Sequence, residues 1–113
     1  MKLSLIVGLL IAALVGCTRP GVKPSCTMNG RGIGHCDFTS VGKKAGGTCG
    51  FISVHRVDTL EKADSETFCS GEVAASSTVK VEFSIPAVDA MCSREPGKKW
   101  TEECVFTFEA VSP

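Results

Sequence analysis

The sequence lacks most of what an enzyme or a nucleic-acid binder needs. No C-x-x-C pair occurs among its seven cysteines, which removes the zinc-ribbon and thioredoxin-like readings. There is no G-x-S-x-G nucleophile elbow. The only histidines are His35 and His55, and neither has a second His two or four residues on, so no local metal pair is expected. An excess of one charge is also missing, since twelve Lys/Arg face twelve Asp/Glu. Without a basic stripe no nucleic-acid partner is expected, and neutrality likewise argues against a polybasic membrane patch. Repeats and low-complexity tracts are absent. So is an apolar run of the roughly 20 residues that a permanent transmembrane helix needs.

What is present begins at the N-terminus. Met1-Lys2 is a short basic start, and Leu3 to Val15 is apolar or small apart from Ser4. Hydrophobicity stops at Thr18-Arg19-Pro20. As a helix, Leu3 to Gly16 would be roughly 21 Å long, against a hydrocarbon core of about 30 Å. A basic start, a short apolar core and a small-residue exit describe an export signal over residues 1–16.

The end of that signal sets its type. Leu14-Val15-Gly16-Cys17 resembles the lipobox of bacterial lipoproteins. The resemblance implies a diacylglyceryl thioether on Cys17 and a signal peptidase II cut between Gly16 and Cys17. In Gram-negative cells it also implies acylation of the new amine. The expected location is therefore the bacterial cell envelope, with membrane lipid as a partner through acylated Cys17. Two or more acyl chains hold stably where one holds only marginally. Thr18 stands where Asp would favour inner-membrane retention, so the outer membrane is expected in a Gram-negative host. The cysteine count agrees. Seven is odd, and setting Cys17 aside leaves six.

After Cys17, residues 17–25 read as a lipidated N-terminus and a stiff tether, with two prolines and a glycine in TRPGVKPS. Residues 18–25 could reach about 26–29 Å. Residues 26–113 then form one small domain, which burial alone stabilises only modestly. Its cysteines, Cys26, Cys36, Cys49, Cys69, Cys92 and Cys104, read as disulfides in an oxidising compartment. Six cysteines allow 15 connectivities, and the sequence cannot choose among them. Neighbour pairing (26–36, 49–69 and 92–104) is the expectation if adjacent antiparallel strands bring those pairs together.

The domain alternates with a period of two. Val79, Val81, Phe83 and Ile85 share one face, with Lys80, Glu82 and Ser84 opposite. Cys104, Phe106, Phe108 and Ala110 repeat the pattern, although Val105 interrupts the polar face. Thr48–Asp58 reads as a long strand, His35–Thr39 and Thr67–Ala74 as shorter ones, and Ser25–Asn29 as an edge strand. Residues 59–66 read as a helical turn or a charged loop, and 87–93 as a short helix after Pro86. The fold class expected is all-β: a small antiparallel sandwich of five to seven strands, braced by disulfides and preceded by a cleaved signal helix. Trp100 and the six Phe residues are expected to fill its core. Over roughly residues 36–110 the chain is similar to small immunoglobulin-like surface domains of the FxLYD type. That similarity implies a non-enzymatic surface module and supplies no site residues.

Candidate chemistry is sparse. Gly30-Arg31-Gly32-Ile33-Gly34 lacks the strand-then-helix context of a phosphate loop and is expected to be a hairpin turn. His35 and Asp37 lie two apart on one strand face, as a solvent-facing polar pair more readily than a catalytic dyad. His55 is expected to be half-buried and hydrogen-bonded. Adjacent Glu102 and Glu103, if on a strand, would face opposite ways. Lys98-Lys99-Trp100 reads as a solvated turn into a core Trp. No catalytic residue, metal or cofactor is assigned. The expected function is a non-enzymatic binding or structural module of the envelope, with an envelope protein as a conceivable partner. The alternatives are a small exported protease or hydrolase inhibitor, acting through loop 29–34 or 94–99, and an exported hydrolase.

Overall fold

A computed structural model describes residues 21–111. The expected signal segment, Gly16, Cys17 and the first part of the tether lie outside the described residues. Seven strands and two short helices follow: β1 Val22–Met28, β2 Ile33–Ser40, β3 Cys49–Arg56, β4 Lys62–Asp64, β5 Phe68–Cys69, β6 Thr78–Ser84, α1 Ala87–Met91, α2 Trp100–Glu103 and β7 Cys104–Val111. All strand pairs are antiparallel. The first sheet runs β1-β2-β6. In the second, β7 pairs with the whole of β3, while β4 and β5 lie end to end along its other edge.

Alternation decides which side chains meet between the sheets. Cys36 and Phe38 of β2, Phe83 of β6, and Ile52 and Val54 of β3 are buried. Phe38, Phe68, Phe83 and Phe108 form an aromatic cluster, with ring centroids 5.7 Å apart for Phe38–Phe108 and 5.9 Å for Phe68–Phe83. Each such side chain contributes about 1.5–3 kcal/mol on leaving water. Trp100 stacks on Phe106 at the margin of this core. Phe51 departs from the expectation. It is out of phase with Ile52 and Val54, so it sits half-buried on the outer face of β3.

The bridges are Cys26–Cys36, Cys49–Cys69 and Cys92–Cys104. The first two join residues directly opposite each other across strand pairs. The third ties the end of α1 to the start of β7. With sequence separations of 10, 20 and 12 residues, chain entropy credits each bridge with about 3 kcal/mol.

Four local expectations are revised. β1 starts at Val22, so residues 22–25, read as tether, pair with β2. Pro24 is tolerated there because β1 is an edge strand and need not donate on its open side. Within the segment 59–66, read as a helical turn or a charged loop, residues 62–64 form a strand, held where Arg56 N donates to Glu61 O and Ser65 N to Ile52 O. The strand expected over 67–74 shortens to two residues, because Gly71 turns the chain at φ 69°. Glu102 and Glu103 stand on α2 and not on a strand.

The sandwich has two distinct ends. At the tether end are Gly21, the loop 41–48 and the loop 70–77, the two loops being joined by a bridge between Gly46 and Val73. At the helix end are α1, α2, the β1–β2 turn and the β3–β4 hairpin. There Gly32 adopts φ 82° and lies against the Ile85 carbonyl, leaving no room for a Cβ.

Candidate functional site

The hairpin reading of the glycine cluster fits the geometry. Asn29 Oδ1 accepts from Arg31 N at 2.9 Å and Ile33 N at 3.2 Å, while Gly32 N donates to Asn29 O at 3.0 Å. These amides are satisfied within the turn. Gly30 packs against the Trp100 ring, so this turn meets the start of α2 at the helix end.

Beside the turn is a shallow cavity of about 740 Å³, open to solvent. Thr27, Asn29, His35 and Glu82 give it polar groups, and Met28 and Phe83 give it apolar ones. Thr27, His35 and Glu82 occupy one rung of the sheet. His35 Nε2 is 3.8 Å from Asp37 Oδ2, and both side chains are partly exposed. A smaller hollow of about 270 Å³ shares Glu82, Phe83 and Ser84. Among the described residues, no group of three or more His, Cys, Asp or Glu is placed to hold a metal.

On the outer face of the second sheet, Ser53, His55 and Asp64 converge. Ser53 Oγ donates to Asp64 Oδ1 at 2.7 Å and lies 3.2 Å from His55 Nε2. Activating a serine requires the imidazole to take the hydroxyl proton, with a carboxylate orienting the far ring nitrogen. Here the hydroxyl's single proton is committed to Asp64, and the carboxylate contacts the serine. The arrangement stitches β4 to β3 and gives half-buried His55 its partner. It does not prepare a nucleophile.

The most developed polar constellation was not anticipated. Arg56 follows Ile52 and Val54 in phase, so its side chain points inward and is 4 % exposed. Its guanidinium donates to both Asp58 oxygens at 2.9 and 3.0 Å, to Met91 O at 2.7 Å and to Glu103 Oε1 at 2.9 Å. Glu103, 1 % exposed, also accepts from Arg94 N at 3.0 Å and Glu95 N at 3.3 Å. Arg94 forms a two-pronged pair with Glu61, and Lys98 pairs with Glu95 at 3.0 Å. Hydrogen bonds from Arg56 hold the Asp58 and Glu103 carboxyls below the usual carboxylate range. Those from Arg94 do the same for Glu61. Arg56 is driven upward, chiefly by Asp58 and then Glu103. The buried pair at its centre, Arg56 and Glu103, has its hydrogen bonds within the protein, so the knot fastens α1, α2 and the β3–β4 hairpin. The sequence held one signal of it: a charge at an inward-facing strand position.

Each cysteine of the described residues is in a bridge, and Cys17 and Gly16 lie outside those residues. Among the described residues no helix is long and apolar enough to cross a membrane. No family model, curated protein or solved structure matches the chain.

Proposed function

We propose that the protein is a lipid-anchored module of the bacterial cell envelope. Residues 1–16 are removed, Cys17 carries the acyl chains, and the disulfide-braced sandwich is displayed as a non-enzymatic binding or structural domain. One observation carries this reading beyond the Leu14–Cys17 motif. All six downstream cysteines are committed to one another, so Cys17 has no cysteine left to pair with in its own chain. An exported protein with one cysteine to spare needs a chemical fate for it, and a thioether supplies one. Metabolic labelling with a palmitate analogue tests the anchor. The wild-type chain incorporates label and Cys17→Ser does not; equal labelling of the two would refute the reading.

A second reading, the exported hydrolase inhibitor, has one observation in its favour. Loops 29–34 and 94–99 both lie at the helix end, away from the point where the tether joins, and Gly30 of the first packs against Trp100, which follows the second. Inhibition of a panel of secreted hydrolases by the mature protein, abolished by substitutions in those loops, would move this reading ahead.

A further inference from the structure

The end of the sandwich nearest Cys17 has a charge of its own, and its meaning rests on the anchor proposed above. Val41 N donates to Gly21 O at 2.6 Å, which ties the loop 41–48 to the point where the tether joins the domain. Ser40 Oγ donates to Lys44 O at 3.1 Å and fixes the course of that loop. Lys43 and Lys44 are exposed on it, and Lys23 is exposed just inside β1. Val41, beside them, is 61 % exposed. Among the described residues none of these lysines forms an ion pair. At the helix end Arg56, Arg94 and Lys98 are matched by carboxylates, while Arg31 and Lys99 form no ion pair among the described residues. One acid, Glu72, is exposed on the adjoining loop 70–77. The remainder of that loop's tip, Ala74 to Ser77, is small and admits close approach to a surface.

Distance makes the charge relevant. From Cys17 to Gly21 the chain spans at most about 14 Å, and the Debye length in physiological salt is about 8 Å. Lysines fastened to the end of so short a leash lie within reach of the headgroups. Net charge over the whole chain hides this, because with twelve Lys/Arg against twelve Asp/Glu a basic end is cancelled by a net acidic remainder.

We propose that the tether end is a docking surface for anionic phospholipid headgroups, with Lys23, Lys43 and Lys44 seating the domain on the bilayer that holds its acyl chains. Each lysine near an anionic leaflet raises the ratio of seated to unseated states about five-fold. The helix end, with its cavity and paired loops, then faces away from that bilayer.

Amide hydrogen exchange on the full lipidated protein tests this, using vesicles of phosphatidylcholine alone or with phosphatidylglycerol added. Flotation with the neutral vesicles reports the acyl anchor, which needs no charge. Exchange at residues 42–45 reports the seat. The expected result is flotation with both compositions and several-fold slower exchange at 42–45 on the anionic vesicles. High salt, or Lys23→Gln, Lys43→Gln and Lys44→Gln combined, should remove the slowing. Equal exchange on both compositions, with flotation intact, would overturn the docking surface alone. Failure to float with neutral vesicles would overturn the anchor and the docking surface with it.

Discussion

The two ends of this sandwich are held by different means. The helix end is fastened by a buried ion-pair knot around Arg56 and Glu103, by the Cys92–Cys104 bridge and by a glycine pressed against backbone. The tether end is held by the Cys49–Cys69 bridge, by main-chain bonds between the loops 41–48 and 70–77 and by buried Val73, and among the described residues its lysines form no ion pair. The difference teaches where sequence changes are tolerated. One end is over-determined by buried charge and close packing; at the other, exposed lysines without ion-pair partners among the described residues can change charge at little cost to folding.

The sharpest way to break the contrast is Glu103→Gln. It removes the buried partner of Arg56, and losing one member of a buried pair is far costlier than replacing both. The melting temperature should fall by roughly 10–20 °C. Arg56→Met with Glu103→Leu should recover most of that loss; a double variant as unstable as the single would show that the knot is not the fastening.

Acid should attack the same end. Asp58, Glu61 and Glu103 have carboxyls depressed in the folded state. Their contribution is therefore full above the unfolded carboxylate range of about 4–4.5. It is lost as pH falls below that range toward the folded values, whereas Arg56, already charged, adds no slope. After correction for intrinsic rates, amide exchange should rise first at Arg94 and Glu95, whose N–H groups donate to Glu103. Uniform loss across the domain would erase the distinction between the ends.

Gly32→Ala and Gly71→Ala compare the ends at one kind of residue. Both positions have positive φ, but a Cβ at Gly32 meets the Ile85 carbonyl while one at Gly71 meets nothing within 4 Å. Chemical unfolding should show a loss of at least about 2 kcal/mol for Gly32→Ala and about 1 kcal/mol for Gly71→Ala. The smallest effect is expected for Lys43→Gln with Lys44→Gln, which should shift the melting temperature by no more than about 2 °C.

Much of this architecture is legible in residue order because a strand with one buried face writes itself as alternation. Val79 to Ile85 and Cys104 to Ala110 did so, and neighbouring antiparallel strands then placed Cys26 opposite Cys36 and Cys49 opposite Cys69. Lys62–Asp64 was not legible, because a three-residue charged segment becomes a strand only through the edge of β3 that accepts it. Arg56 and Glu103 are 47 residues apart, and no local pattern joins them. The basic end escaped for the opposite reason. Lys23 and Lys43-Lys44 are separated in the chain and brought together by the bond from Val41 to Gly21, while total charge reports only the average.

The central claim is a chemical one about seven sulfur atoms, and intact-mass measurement of the non-reduced protein purified from envelope membranes tests it most directly. The account predicts a chain beginning at Cys17, heavier by its acyl groups, six hydrogens lighter than the reduced form and inert to thiol alkylation. A chain that retains residues 1–16, or one that takes up alkylating reagent without prior reduction, would contradict it.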